Sequence, residues 1–106
     1  MPRFLITGSY TVEGIKGVMK EGGTGRKKAV EAAVHALGGK LETFYFAFGS
    51  TDVYAIVDVP DNATAVTLAM GVASTGTVRT TTTVLLTPEE IDAATKKSLA
   101  FRAAGQ

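Results

Sequence analysis

Residues 40–60, "KLETFYFAFGSTDVYAIVDVP", contain two segments rich in aromatic and β-branched residues on either side of a polar turn. Segments of this composition favour β-strands. The turn, Gly49–Asp52, has the length and the residue types of a hairpin connection. Pro60 ends the second segment because proline has no N–H to donate to a strand ladder. The stretch therefore predicts an antiparallel hairpin near the middle of the chain.

The residues before the hairpin predict one strand and two helical pieces. "RFLITGSY", Arg3–Tyr10, is rich in β-formers and predicts the first strand. Thr11 can cap a helix whose apolar residues follow at helical spacing, but a glycine cluster at 22–25 interrupts it. We expect Thr24 to cap the second piece. The apolar stripe of that piece comprises Val30, Ala33, Val34 and Leu37.

The residues after the hairpin predict a helix, a strand and a short final helix. Asp61 is a capping residue for a helix of small residues that runs up to Gly76. The β-branched segment 77–86 predicts a fourth strand. The sequence "TPEE" at 87–90 is a capping box with proline at the first helical position. Residues 99–106 are expected to form a loose tail.

This order of elements, β-α-β-β-α-β followed by a helix, is that of ferredoxin-like α+β folds. We interpret residues 1–106 as a single domain, since neither a linker nor a repeat divides them.

Composition limits the possible functions. The chain has 11 Lys and Arg against 10 Asp and Glu, so we expect no nucleic-acid partner and no general attraction to anionic membranes. It has no cysteine, which rules out disulfides and thiolate metal sites. No apolar run approaches the ~20 residues of a membrane span, and the first residues lack the long apolar region of a secretory signal. These features predict a cytoplasmic protein.

The stretch "KEGGTGRKK", residues 20–28, combines glycines with basic residues as phosphate-binding loops do. A P-loop requires lysine and then Ser or Thr after its last glycine, whereas Arg26 follows here. A dinucleotide fingerprint requires a third glycine where Lys28 stands. We therefore expect no nucleotide cofactor. Arg26 and Lys27 beside a helix start predict at most a weak anion-binding site.

His35 is the only histidine, and hence the only obvious general base or haem ligand. At 100° per residue it lies nearly opposite the apolar stripe of its helix, so we expect it to face solvent or a neighbouring subunit. One histidine provides no cluster for a metal, and the aspartates lie at no recognised ligand spacing, so no metal site is predicted.

An aromatic run occupies the first hairpin strand. Alternation places Phe44, Phe46 and Phe48 on one face and Tyr45 on the other. The rings can fill the core or form the wall of an apolar ligand pocket, and the sequence leaves both open. The residues that could supply polar contacts to such a ligand are Tyr10, Tyr45, Asp52, Tyr54 and Arg79.

Four segments together resemble the GYD domain family: "SYTVEGIKGVMKEGG", "AVEAAVHALGGKLETFYFAFG", "DVYAIVDVPDN" and "TTTVLLTPEEID". The resemblance covers nearly the whole chain and implies a dimeric α/β barrel, in which two ferredoxin-like protomers pair their sheets. The family is named for a Gly, Tyr, Asp signature at the hairpin. Gly49 and Asp52 match it, whereas Thr51 stands in place of the tyrosine. Relatives with this architecture include cofactor-free monooxygenases, haem enzymes and ligand-sensing modules.

The sheet pattern also predicts a homodimer. Two helices can cover the face that carries Phe4, Ile6, Val53, Ala55, Val57 and Val84. The opposite face is too apolar for a fully solvated surface, since it carries Leu5, Tyr54, Ile56 and Leu85 among Thr7, Ser9, Arg79, Thr81 and Thr83. A partner sheet would cover it. The sequence favours a homo-oligomeric small-molecule-binding or structural module without cofactor or evident catalytic residues. The alternative is a cofactor-free monooxygenase or isomerase.

Overall fold

The computed structural model describes all 106 residues, which form four strands and three helices. In chain order they are β1 (Arg3–Tyr10), α1 (Val12–Ala36), β2 (Lys40–Phe46), β3 (Val53–Asp58), α2 (Asn62–Ala73), β4 (Val78–Leu85) and α3 (Pro88–Thr95). The strands form one antiparallel sheet in the order β2-β3-β1-β4. The predicted α+β fold, a ferredoxin-like βαββαβ unit with an extra helix, is confirmed.

Each helix begins at a side-chain cap that the sequence predicted. Thr11 and Asp61 accept a hydrogen bond from the backbone N–H three residues further on, at 3.2 and 2.8 Å. Thr87 and Glu90 form both hydrogen bonds of a capping box. These caps satisfy backbone N–H groups that a helix leaves free at its start. None of the helices combines the length and the apolar character needed to cross a membrane.

Helix α1 is kinked at Gly22, where the backbone adopts a φ of 79° and a ψ of 167°. A positive φ is readily accessible to glycine because it has no Cβ. The predicted interruption of α1 is confirmed, but the predicted cap at Thr24 is wrong, since the break comes two residues earlier and Thr24 is helical. Ala33 is exposed, contrary to prediction. Val30, Val34 and Leu37, at spacings of four and three, form the stripe that faces the sheet, and Ala33 lies at its edge.

The hydrophobic core lies between the helices and one face of the sheet. Its buried members are Phe4, Val34, Leu41, Ala55, Val57, Val59, Ala65 and Leu68. Phe4 pairs with Val57 and Val84 in register, so all three share this face as predicted. Val84 is nevertheless 52% exposed, because helical cover ends before it.

The other face of the sheet, which we call the open face, is not covered by α1 or α2. It carries alternate residues of all four strands: Leu5, Thr7, Ser9, Thr43, Tyr45, Tyr54, Ile56, Arg79, Thr81, Thr83 and Leu85. A bulge in β2 adds Glu42, whose carboxylate lies 2.7 Å from Arg3 Nε. Asp58 Oδ1 lies 3.4 Å from the same nitrogen. The open face therefore combines aliphatic groups, hydroxyls and one ionic cluster.

Candidate functional site

A cavity of about 150 Å³ lies between α1, α2 and the helix-covered face of the sheet. That volume is roughly that of an engineered protein cavity known to bind benzene. The apolar part of the lining comprises Ile6, Val30, Phe44, Val53, Ala55, Leu68, Ala69, Val72 and Val78. The remaining lining residues are Tyr10, Arg26, Thr75, Thr77 and Thr80. The space is therefore an apolar pocket with a few polar groups, as is typical of small-molecule sites.

Tyr10, the last residue of β1, extends its ring along one wall of this cavity. The ring stacks on Phe46 with the centroids 6.5 Å apart. The backbone N–H of Tyr10 donates to Asp52 Oδ2 at 2.9 Å, which fixes the end of the strand. Burial is the main cause that raises the pKa of the Tyr10 phenol, and Arg26 opposes this while Asp52 and Glu21 add to it. The phenol therefore keeps its proton at neutral pH and can donate a hydrogen bond.

Arg26 supplies the only positive charge in the lining. It lies on α1 just after the kink at Gly22, and its Nη1 donates to Glu21 Oε1 at 3.0 Å. Both side chains are more than a third exposed, at 36% and 38%. Ion pairs this exposed contribute little to stability. The guanidinium can therefore exchange Glu21 for an anionic group of a ligand at small cost.

Three threonine hydroxyls make the cavity polar where α2 leads into β4. Thr75 Oγ1 donates to the Val72 carbonyl at 2.7 Å and lies 2.7 Å from Thr77 Oγ1. The Thr77 carbonyl accepts from the N–H of Thr11 at 2.9 Å, which ties this loop to the start of α1. Thr80 lies on β4 itself. The cavity thus offers hydroxyls from a segment held at several points.

The residues predicted to contact a ligand fall into two groups on opposite sides of the sheet. Tyr10 lies in the cavity, and Asp52 lies beside it at the end of the hairpin. Tyr45 and Tyr54 are exposed neighbours on the open face, directly opposite each other in register. Arg79 is also on the open face, opposite Ser9. The structure of the chain therefore does not bring all five residues together.

Asp52 is engaged in joining the hairpin to β1. Its N–H donates to the Gly8 carbonyl at 2.8 Å, and its carbonyl accepts from the N–H of Ala47 at 2.8 Å. Together with the bond to the N–H of Tyr10, these contacts explain why an aspartate suits this position: its side chain and its backbone both hydrogen bond across the turn.

The two basic residues of the predicted anion site face different surroundings. Arg26 lines the cavity, whereas Lys27 is exposed and is not part of the lining.

His35 is exposed as predicted, in a shallow polar depression beside Glu31 and Lys40. No three His, Asp or Glu side chains lie close enough together to hold a metal ion.

Sequence reasoning missed the α2 side of the cavity. Leu68, Ala69 and Val72 line it together with the threonines of the following loop. Helix α2 has apolar residues on all sides, so its periodicity does not reveal which of them face the sheet.

The model of the GYD domain family matches residues 4–95. No curated protein and no solved structure gives a significant match. The matched range contains the βαββαβ unit apart from Arg3, every residue that lines the cavity, and α3. The chain belongs to the GYD domain family.

Proposed function

We propose that the protein is a cytoplasmic homodimer that binds a small molecule with an apolar body and an anionic end in the cavity between α1, α2 and the sheet. The observation that carries this proposal is the placement of Tyr10 and Arg26 in a largely apolar lining, whose only other polar residues are three threonines. An apolar body would displace water from the walls, while the phenol and the guanidinium would bind the polar end.

Benzoate is a suitable first probe because it joins a benzene-sized ring to a carboxylate. We expect it to shift the methyl NMR signals of Val30, Leu68 and Val72, and to bind more tightly than the uncharged benzyl alcohol. Arg26→Gln should weaken benzoate binding by about 1 kcal/mol, roughly fivefold, by removing a charge-assisted hydrogen bond at a partly exposed site. Lys27→Gln is the matched control, since it removes a neighbouring charge outside the lining.

Filling the cavity tests its location. Ala69→Leu should abolish the shifts because Ala69 lines the cavity, whereas Ala63→Leu, at an exposed position of the same helix, should not. Shifts that persist in Ala69→Leu would place the site elsewhere.

Native mass spectrometry of protein purified from its own host would identify a retained ligand. Chemical conversion of that ligand by the purified protein would support the cofactor-free monooxygenase or isomerase alternative.

The proposal of a homodimer is based on the open face of the sheet. Leu5, Ile56 and Leu85 lie there half-buried, beside the exposed Tyr54 and a row of threonines. Only 12 of 106 residues are buried. The chain exposes 7351 Å², against about 5,600 Å² for a compact monomer of its mass. A second sheet packed across the open face would bury the aliphatic groups while the hydroxyls pair or retain water.

A further inference from the structure

The chain ends in an arm, Leu86–Gln106, that projects away from the body of the molecule. No residue of α3 is buried, and every residue from 91 to 106 is exposed. The longest dimension of the chain is 56 Å, and its radius of gyration is 17.1 Å. A compact chain of about 100 residues has a radius of gyration near 13 Å. The arm therefore obtains almost none of its order from packing against its own chain.

The arm nevertheless carries large apolar side chains. Leu99 is 83% exposed and Phe101 is 79% exposed, while Leu86 and Ile91 are 60% and 48% exposed. Single apolar residues on a surface are ordinary, but four within a segment that packs so little against its own chain leave apolar surface without a partner.

The arm begins at the border of the open face. Leu85, the last residue of β4, lies on that face opposite Arg3, and the arm continues directly from it. A groove of about 480 Å³ separates the start of the arm from the sheet. Its apolar lining includes Ile56 and Leu85 from the open face, and Leu86 and Pro88 from the arm. Any molecule that covers the open face would therefore also meet the arm.

We infer that the arm of each chain packs against a second copy that lies across the open face, so that the two copies clasp each other. The chain has two uncovered apolar surfaces, the open face and the arm, and its own geometry keeps the outer part of the arm away from its body. A two-fold dimer would cover both surfaces, because each copy contributes one arm and binds the arm of the other. This inference rests on the proposed homodimer and adds a second contact to it.

The test is the dissociation constant of the dimer, measured by sedimentation over a range of concentrations. The double variant Leu99→Asp/Phe101→Asp should raise it at least tenfold. Met19→Asp, which places the same charge at an 80% exposed residue of α1, should change it less than twofold. Circular dichroism should show unchanged folding in both variants, since none of the three side chains belongs to the core.

A second measurement reports on the arm itself. The chain has no tryptophan, so Phe101→Trp introduces a single fluorophore. Its emission should shift to shorter wavelength as the protein dimerises and return on dilution.

The outcomes separate the arm from the dimer. A monomeric wild type would contradict both the proposed homodimer and the contact of the arm with a second copy. If Ile56→Asp dissociates the wild-type dimer but the double arm variant does not, the dimer through the open face stands and the contact of the arm is contradicted. Solvent-like tryptophan emission from a dimeric sample would likewise overturn the inference.

Discussion

At the scale of single residues, Tyr10 is the side chain whose chemistry the fold changes most clearly. It is half-buried beside the cavity, and this burial raises the pKa of its phenol above the usual value near 10. The folded protein therefore holds this proton more tightly than the unfolded chain does. The resulting stability is fully present below pH ~10 and is lost as the pH rises through the folded pKa.

The prediction concerns Tyr10→Phe, which removes the ionisable group but keeps the ring. Near neutral pH its free energy of unfolding in urea should lie within about 0.5 kcal/mol of the wild type, since the ring that stacks on Phe46 is kept. Above pH ~10 the wild type should lose stability faster than the variant. Parallel stability curves up to pH ~11 would mean that the phenol is fully hydrated in the folded state.

The second prediction at the scale of single residues concerns His35. It is exposed near the end of α1, in the shallow depression beside Glu31 and Lys40. His35→Ala should change the free energy of unfolding by no more than about 0.5 kcal/mol, as ordinary surface substitutions do, and should leave benzoate binding unchanged. A loss of binding would show that the site includes the depression beside His35 rather than the cavity.

At the scale of elements, two glycines three residues apart in α1 have opposite roles. Gly14 lies against the loop before β4, where a Cβ would overlap the carbonyl oxygen of Thr77. Gly17 has no neighbouring atom within 4 Å of the position of a Cβ. The first glycine therefore allows α1 to approach that loop, whereas the second only lowers helix propensity.

The matched pair Gly14→Ala and Gly17→Ala tests this difference. Gly14→Ala should lower the free energy of unfolding by about 1–3 kcal/mol, the usual cost of overpacking. Gly17→Ala should raise it by up to about 1 kcal/mol. Urea unfolding of both variants measures this directly. Equal effects of the two substitutions would mean that α1 is not held against the Thr77 backbone.

At the scale of the whole molecule, the open face decides whether the chain acts alone. Ile56→Asp or Leu85→Asp places a charge on that face and should convert a dimer at low micromolar concentration into a monomer, because burying an unpaired charge is strongly unfavourable. Met19→Asp is the control for an exposed position elsewhere. A wild type that sediments as a monomer would refute the dimer, and an Ile56→Asp protein that remains dimeric would place the interface on another surface.

The order of elements could be predicted from the sequence because its signals are local. The caps at Thr11, Asp61 and Thr87 act within three residues, and alternation along a strand assigns each side chain to a face. The same rules placed the glycine cluster of α1 at an interruption and His35 on its exposed side. The error of two residues at the break of α1 arose because several glycines lie close together there, and Gly22 is the one that adopts the positive φ.

The sequence by itself determined the α+β class, the family resemblance, and which residues share a face of the sheet. Only the tertiary structure decided that Tyr10 and Arg26 meet at one cavity while Tyr45, Tyr54 and Arg79 lie on the opposite side of the sheet. The physical reason is that a face is a local property of a strand, whereas a cavity depends on how helices from distant parts of the chain pack over the sheet. Helix α2 forms the third wall of that cavity, and because its apolar residues are spread over all sides, its sequence does not indicate which side is buried.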